Sequence, residues 1–193
     1  MLERKPDQPS GLFDFIRNGT TLKVAARYHV NEGDGRMNQE RQDSGGELLL
    51  SAHTPEQWRR RRQELNEWIN RPKERIQPKR TRLFGNAPVD EQLYPILILL
   101  QQAGLETEFS CAGVSPLDEP VDHSLYAYLT FFAKGPAERF ADILIENMKH
   151  RALITYEPAR HRYDVSSFFI GHNRSFCLLL QHSADQLLRD SAR

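Results

Sequence analysis

From residue 88 onward, apolar positions recur with two distinct periods. Leu93, Ile96, Leu97 and Leu100 stand at i, i+3, i+4 and i+7, and Ile98 and Leu99 widen that stripe. Such a run predicts a helix buried on most sides, with Pro95 either in its first turns or kinking it and Gly104 beyond its C-terminus. Leu105–Cys111 and Leu125–Phe132 then read as strands rich in aromatic and aliphatic residues. Gly135-Pro136 opens a second helix with Phe140, Ile143, Leu144 and Met148 on its inner stripe. Ala152–Tyr156 and Arg162–Ile170 read as two more strands. A last helix from about Asn173 buries Phe176, Leu179, Leu180, Ala184, Leu187 and Leu188. The order helix, strand, strand, repeated and closed by a helix, predicts an α+β fold, an α/β sandwich with a sheet of about four strands. The two helix–strand–strand units match in layout. Duplication around a pseudo-twofold and chance similarity are both open readings.

The pattern before residue 88 is looser. Residues 1–50 read as a flexible segment with short helices. Within it, Asn18–Asn31 resembles the first half of a helix-turn-helix, but Glu32-Gly-Asp-Gly35 puts two glycines and two acids where a recognition helix needs helix formers. Residues 31–46 form a polar, Gly-rich linker, and Glu47–Leu50 a short strand or turn. Thr54-Pro55-Glu56-Gln57 is a helix start, with Thr54 as cap, Pro55 in the first turn and Gln57 closing a capping box. The helix carries Trp58, Leu65, Trp68 and Ile69 on one face and stops before Pro72. Three regions follow: residues 1–50, a basic amphipathic helix and linker over 51–87, and an α/β ligand-binding domain over 88–193.

The formal net charge is zero, but it is not evenly spread. Residues 1–87 hold 17 basic and 12 acidic residues, against 9 and 14 in 88–193. Residues 54–87 alone hold 10 basic and 4 acidic residues. Arg59, Arg60, Arg61, Arg62, Arg71, Lys73, Arg75, Lys79, Arg80 and Arg82 are therefore candidate contacts for a nucleic-acid backbone or a protein partner. Successive residues Arg59–Arg62 point four ways around a helix, so they do not form one patch, and the stems of some must cover the tryptophan face. The first residues lack the apolar core of a signal peptide, and the longest apolar run is too short to span a bilayer. Two cysteines make no disulfide framework, and the expected setting is a reducing cytoplasm without membrane contact.

Candidate chemistry gathers after Cys111. Phe109-Ser110-Cys111-Ala112-Gly113 leaves a strand through small residues, which let a ligand approach the backbone. Asp118, Glu119, Asp122 and His123 add titratable groups to the loop, and His161, His172, Asn173 and Arg174 lie at element ends in the second half. Packed around a pseudo-twofold, both sets would line one cleft. Cys111 reads as a nucleophile if a base such as His123 or His161 lies beside it, as a zinc ligand, or as a buried small side chain. Zinc favours a close ligand pair, and neither Cys-x-x-Cys nor His-x-x-x-His occurs. His172, Cys177 and His182 are five apart, a spacing that spreads ligands around a helix, so no metal is expected. His172-Asn173-Arg174 ahead of a helix suits an anion or a plain Asn cap.

Asp90, the apolar helix and Glu108-Phe-Ser-Cys-Ala-Gly113 resemble a pattern in the Tyw3-type tRNA wybutosine-synthesis methyltransferases. These have an Asp-led helix, a Thr-Ser-Ser-Cys-Ser-Gly-Arg turn and a strand. Small phage and bacterial proteins carry a similar Ser-Cys-x-Gly-His turn. The likeness covers about Pro88 to Phe132, and Asp90, Ser110, Cys111 and Gly113 match. It implies an α/β domain that binds S-adenosylmethionine and modifies RNA. Val114 stands where the arginine or histidine of those proteins falls, so the resemblance bears on the fold more than on the activity.

Three functional readings follow. The first is a small nucleic-acid-associated or ligand-binding protein with its site after Cys111, formed by Asp90, Ser110, Cys111, Gly113, His123, His161, His172, Asn173 and Arg174. The second is an RNA-modifying methyltransferase of the resembled type. The third is a non-catalytic regulatory or protein-interaction protein. No complete catalytic constellation can be read, which favours binding over catalysis.

Overall fold

A computed structural model describes residues 46–72, 78–115 and 123–191. The helix-turn-helix-like segment, Lys73, Arg75, Asp118, Glu119 and Asp122 lie outside the described residues. Among the described residues the order is β1 (Leu48–Leu49), α1 (Pro55–Asn70), β2 (Thr81–Phe84), β3 (Ala87–Asp90), α2 (Tyr94–Gln102), β4 (Thr107–Cys111), β5 (Tyr128–Phe132), α3 (Ala137–Met148), β6 (Ala152–Glu157), β7 (Arg162–Ser167) and α4 (Asn173–Ser191). The protein is α+β. Its main sheet is antiparallel and five-stranded, in the order β1-β6-β7-β5-β4, and β2 and β3 form a separate two-stranded hairpin. The sheet exceeds the expected four strands because Leu48 and Leu49 add a short edge to β6. The expected boundary after residue 87 falls inside β3.

The centre of the sheet is the antiparallel pair β5–β7, with Thr130 opposite Asp164. Each of these strands is the last of a helix–strand–strand unit, α2-β4-β5 or α3-β6-β7. The layout is that of a pseudo-twofold passing between them. Strand alternation sends Leu129, Phe131, Ile154 and Val165 to one face, where they pack with the stripes of α2, α3 and α4. Phe131, Phe140, Phe176, Leu100, Ile143, Leu144 and Met148 are wholly enclosed there. The opposite face carries Arg162 on β7, whose guanidinium meets Glu108 and Glu157 at 3.1 Å and Asp164 at 3.2 Å. Burial and the neighbouring Glu47 and Glu157 raise the Asp164 carboxyl to about 6, against the pull of Arg162.

Helix α1 begins as the capping box dictates. The Thr54 hydroxyl accepts the Gln57 N–H at 3.3 Å, and Gln57 Oε1 accepts the Thr54 N–H at 2.8 Å. The helix lies on the domain through the Trp58, Leu65 and Trp68 face, while Ile69, expected on that face, is 54% exposed. Arg61 shares the stripe. Its guanidinium donates to the Ser167 carbonyl at 3.0 Å and to the Phe168 carbonyl, and lies 3.9 Å from the Tyr126 ring centroid. Glu64, one turn on, accepts the Ile170 N–H at 2.8 Å and the Gly171 N–H at 2.9 Å. Two polar anchors therefore register the helix against the turn that precedes α4.

Candidate functional site

The site grows from the ends of β3 and β4. Strand β3 ends at Asp90, which is buried, and its Oδ2 accepts the Ala112 N–H at 2.6 Å. The main chain of Ala112 lies just past the end of β4. This bond therefore ties the residue ahead of α2 to the turn that follows Cys111. Lys79 runs beneath the same turn. Its ammonium donates to the Gly113 carbonyl and stands 3.7 Å from Asp90 Oδ2, with both side chains under 10% exposed. A buried charge pair of this kind persists when further hydrogen bonds satisfy it, and the Gly113 carbonyl and Ala112 amide supply them.

Gly113 has φ +71°, and a side chain there would place Cβ 2.5 Å from the Ala127 nitrogen and 2.6 Å from Asn173 Cγ. Only glycine fits. Asn173 fills that space from the start of α4. Its Oδ1 accepts the Ala127 N–H at 2.8 Å and the Ser167 hydroxyl at 2.6 Å, and its Nδ2 donates to the Val114 and Leu125 carbonyls at 2.8 Å. One buried amide thus holds both ends of the β4–β5 loop and the end of β7.

Beside this frame opens a cleft of about 900 Å³. One wall is formed by Ala112–Ser115 with Asp90. Asn173, Arg174, Cys177 and Gln181 of α4 form another, and Lys79, Arg80 and Glu91 a third. Arg80 and Arg174 are exposed. With Lys79 and Asp90 paired, these two guanidiniums outweigh Glu91, so the cleft favours an anionic group.

On the other side of Asp90 lie Cys111 and His123. Cys111 Sγ is 3.7 Å from His123 Nδ1 and accepts the Gly113 N–H at 3.4 Å. One donor atom from each of Asp90, Cys111 and His123 lies within 4.8 Å of the others, so among the described residues these three are placed to hold a metal ion. Burial, and then the Asp90 charge, push the Cys111 thiol up. On its own Cys111 is therefore a neutral thiol, poorly suited to nucleophilic attack despite the nearby imidazole. Burial likewise takes the Cys177 thiol up to about 12.

The remaining sequence candidates separate. Ser110 pairs with Leu129 on the helix-covered side of the sheet and does not line the cleft. His161 sits in the β6–β7 turn, where its carbonyl accepts the Ala133 N–H at 2.7 Å. Ala133 follows the C-terminal end of β5, whereas Cys111 pairs with Tyr128 at the start of that strand. The pseudo-twofold thus sends the two loops to opposite ends of the sheet, and the expected joint cleft does not form with His161. His172 packs against the Phe169 ring, and burial lowers its pKa. Asn173 and Arg174 do reach the cleft. The Ile170 and Gly171 amides ahead of α4 already bond to Glu64 rather than facing an open anion site.

The basic residues do not make one track. Arg59 pairs with Glu56 at 2.9 Å, Arg60 lies over Phe169, Arg71 over Trp68 and Arg82 over Tyr94, and Arg62 is exposed. Arg61 serves the α1 dock, while Lys79 and Arg80 line the cleft. Sequence reasoning missed Glu64 and the buried role of Lys79. No local motif marks either: the partners of Glu64 lie 106 and 107 residues away, and Lys79 reaches the Gly113 carbonyl 34 residues on and Asp90 only across the β2–β3 hairpin. Comparison of the chain with protein-family models, with curated proteins and with solved structures finds no match to any. Among the described residues no helix is long and apolar enough to cross a membrane.

Proposed function

We propose that the chain is a ligand-binding protein whose cleft beside Gly113 takes a small polar molecule carrying a phosphate or carboxylate group. The observation that carries this reading is the convergence of Arg80, Arg174 and the Asn173-braced Ala112–Ser115 segment on one cleft of about 900 Å³. That volume lies within the range of small-molecule sites, about 300–1,000 Å³. The walls are held by buried hydrogen bonds before any ligand arrives, which lowers the ordering cost of binding. Two arginines at the mouth supply charge-assisted donors for an anion.

One observation favours a second, narrower reading. The Asp90 to Ala112 bond joins the two parts of the Tyw3-like pattern, the Asp-led helix and the Ser-Cys-x-Gly turn. S-adenosylmethionine, whose carboxylate suits Arg174 or Arg80, is then the ligand to try first, with RNA as the methyl acceptor. Arg59 and Arg62 of α1 are exposed and offer further contacts for such a polyanion. A thermal-shift screen tests both readings with inorganic phosphate, ATP, S-adenosylmethionine, its demethylated product and short RNA. A ligand that binds the folded state raises Tm by mass action. A rise with S-adenosylmethionine supports the narrower reading, and a rise with phosphate or ATP alone supports the broader one. No shift with any of them, in folded protein, contradicts both.

A further inference from the structure

We propose that Asp90, Cys111 and His123 form a binding site for a divalent transition-metal ion of the zinc type, with a fourth coordination position left for water or substrate. The three residues come from the end of β3, the end of β4 and the far side of the β4–β5 loop, 21 and 12 positions apart in the chain. Only the tertiary fold assembles them, so no ligand-spacing motif is visible in the sequence. The donor atoms converge within 4.8 Å, and the Sγ to Nδ1 separation is 3.7 Å. Zinc–sulfur and zinc–nitrogen bonds meeting at a tetrahedral angle require about 3.6 Å between those atoms. The carboxylate closes the triangle with a side-chain shift on the order of 1 Å.

The donor set selects the ion. One thiol sulfur, one imidazole nitrogen and one carboxylate oxygen suit zinc, cobalt or ferrous iron, and not magnesium or calcium, which want oxygen alone. Supporting bonds are already in place, as second-shell groups must be to orient ligands. The Gly113 N–H points at the sulfur at 3.4 Å, and the Ala112 N–H holds the carboxylate at 2.6 Å. Binding moves one proton: the Cys111 S–H bond breaks, the sulfur–metal bond forms, and the proton leaves to solvent. Lys79, 3.7 Å from Asp90 Oδ2, opposes the added charge. The ion, the thiolate, the carboxylate and the ammonium together carry one net positive charge, which a hydroxide or an anionic group in the fourth position neutralises.

Cobalt(II) titration of the chelator-treated full chain tests the site without reference to any cleft ligand. The expected result is one equivalent bound, with a near-ultraviolet thiolate-to-cobalt charge-transfer band and the intense visible bands of four-coordinate cobalt, both abolished by equimolar zinc. Cys111→Ser removes the charge-transfer band. His123→Ala, at an exposed position, keeps the fold and weakens binding by more than about tenfold, the scale on which even supporting groups act. His161→Ala, at the other end of the sheet, leaves the titration unchanged. Absence of the charge-transfer band in folded wild-type protein overturns the proposal. So does a band that survives in both Cys111→Ser and His123→Ala, or a loss equal in His123→Ala and His161→Ala.

Discussion

At the residue scale, the β4–β5 loop depends on one side chain and on one missing side chain. Asn173→Ala leaves the Ala127 N–H, the Ser167 hydroxyl and the Val114 carbonyl without their Asn173 partner, and the Leu125 carbonyl with only the Val114 N–H at 3.4 Å. Each buried group stranded in this way costs about 1–3 kcal/mol. The expected loss is about 3 kcal/mol or more in urea denaturation. Gly113→Ala adds a Cβ into the same space at a positive φ, and a loss of at least about 2 kcal/mol is expected. A loss under about 0.5 kcal/mol in both variants would contradict the account of this loop. Two buried titrating groups set an acid response. His53 stacks on Phe168 with centroids 3.7 Å apart, and neither ring nitrogen has a hydrogen-bond partner. Burial, with Arg61 and His150 nearby, lowers its pKa from 6.5 to about 4. The unfolded chain therefore takes up the proton first, and stability falls as pH drops through that window. Asp164 has the opposite sign. Its pKa rises from 3.8 to about 6, so the folded protein holds the proton more tightly, and its term is lost as pH rises through about 6. The two terms partly cancel between pH 4 and 6. Asp164→Asn exposes the His53 term, and Tm then falls more steeply on acidification than in the wild type. His53→Phe does the reverse. Unchanged slopes in both variants would contradict this assignment.

At the element scale, α1 is docked by polar anchors as much as by its tryptophans. Arg61→Ala strands the Ser167 and Phe168 carbonyls and removes the contact with Tyr126. It should cost about 2–3 kcal/mol, whereas Arg62→Ala, one residue on and exposed, should stay within about 0.5 kcal/mol. Equal effects, measured by urea denaturation, would mean that α1 does not sit as described. Much of this level was legible. The Thr54 and Gln57 capping box marks the start of α1, and the stripes of Phe140, Ile143, Leu144 and Met148 and of Phe176, Leu180, Ala184 and Leu187 are the buried faces of α3 and α4. The β2–β3 hairpin was not read. Its strands have four residues each and are mostly exposed, so they lack an apolar alternation, and Pro88 further obscures β3. The Gly85-Asn86 pair, with Gly85 at φ +60°, was the available signal, since a two-residue hairpin of this kind gives glycine its first central position. Ile69 shows the opposite error. Helical periodicity places it beside Trp68, yet Leu65 and Trp68 pack on the domain and Ile69 is left 54% exposed.

At the scale of the whole molecule, the antiparallel pseudo-twofold decides which loops can cooperate. It carries the β4–β5 loop to one end of the sheet and the β6–β7 turn to the other, so Cys111 meets His123 from its own loop and not His161. The sequence shows the small-residue turn after Cys111 and the Asn173-Arg174 pair at a helix start. It cannot show that Lys79 and Asp90 converge beneath that turn, because the contact depends on how the β2–β3 hairpin folds back. The central claim is that this junction forms an anion-binding cleft. Isothermal titration calorimetry of inorganic phosphate, ATP and S-adenosylmethionine tests it most directly, with the wild type set against the Arg80→Glu, Arg174→Glu double variant. Both positions are exposed, so Tm should stay within a few degrees of the wild type. The account predicts binding of at least one of the three at one site per chain, lost in the double variant. Absence of heat with all three in folded wild-type protein, or binding that survives both charge reversals, would contradict it.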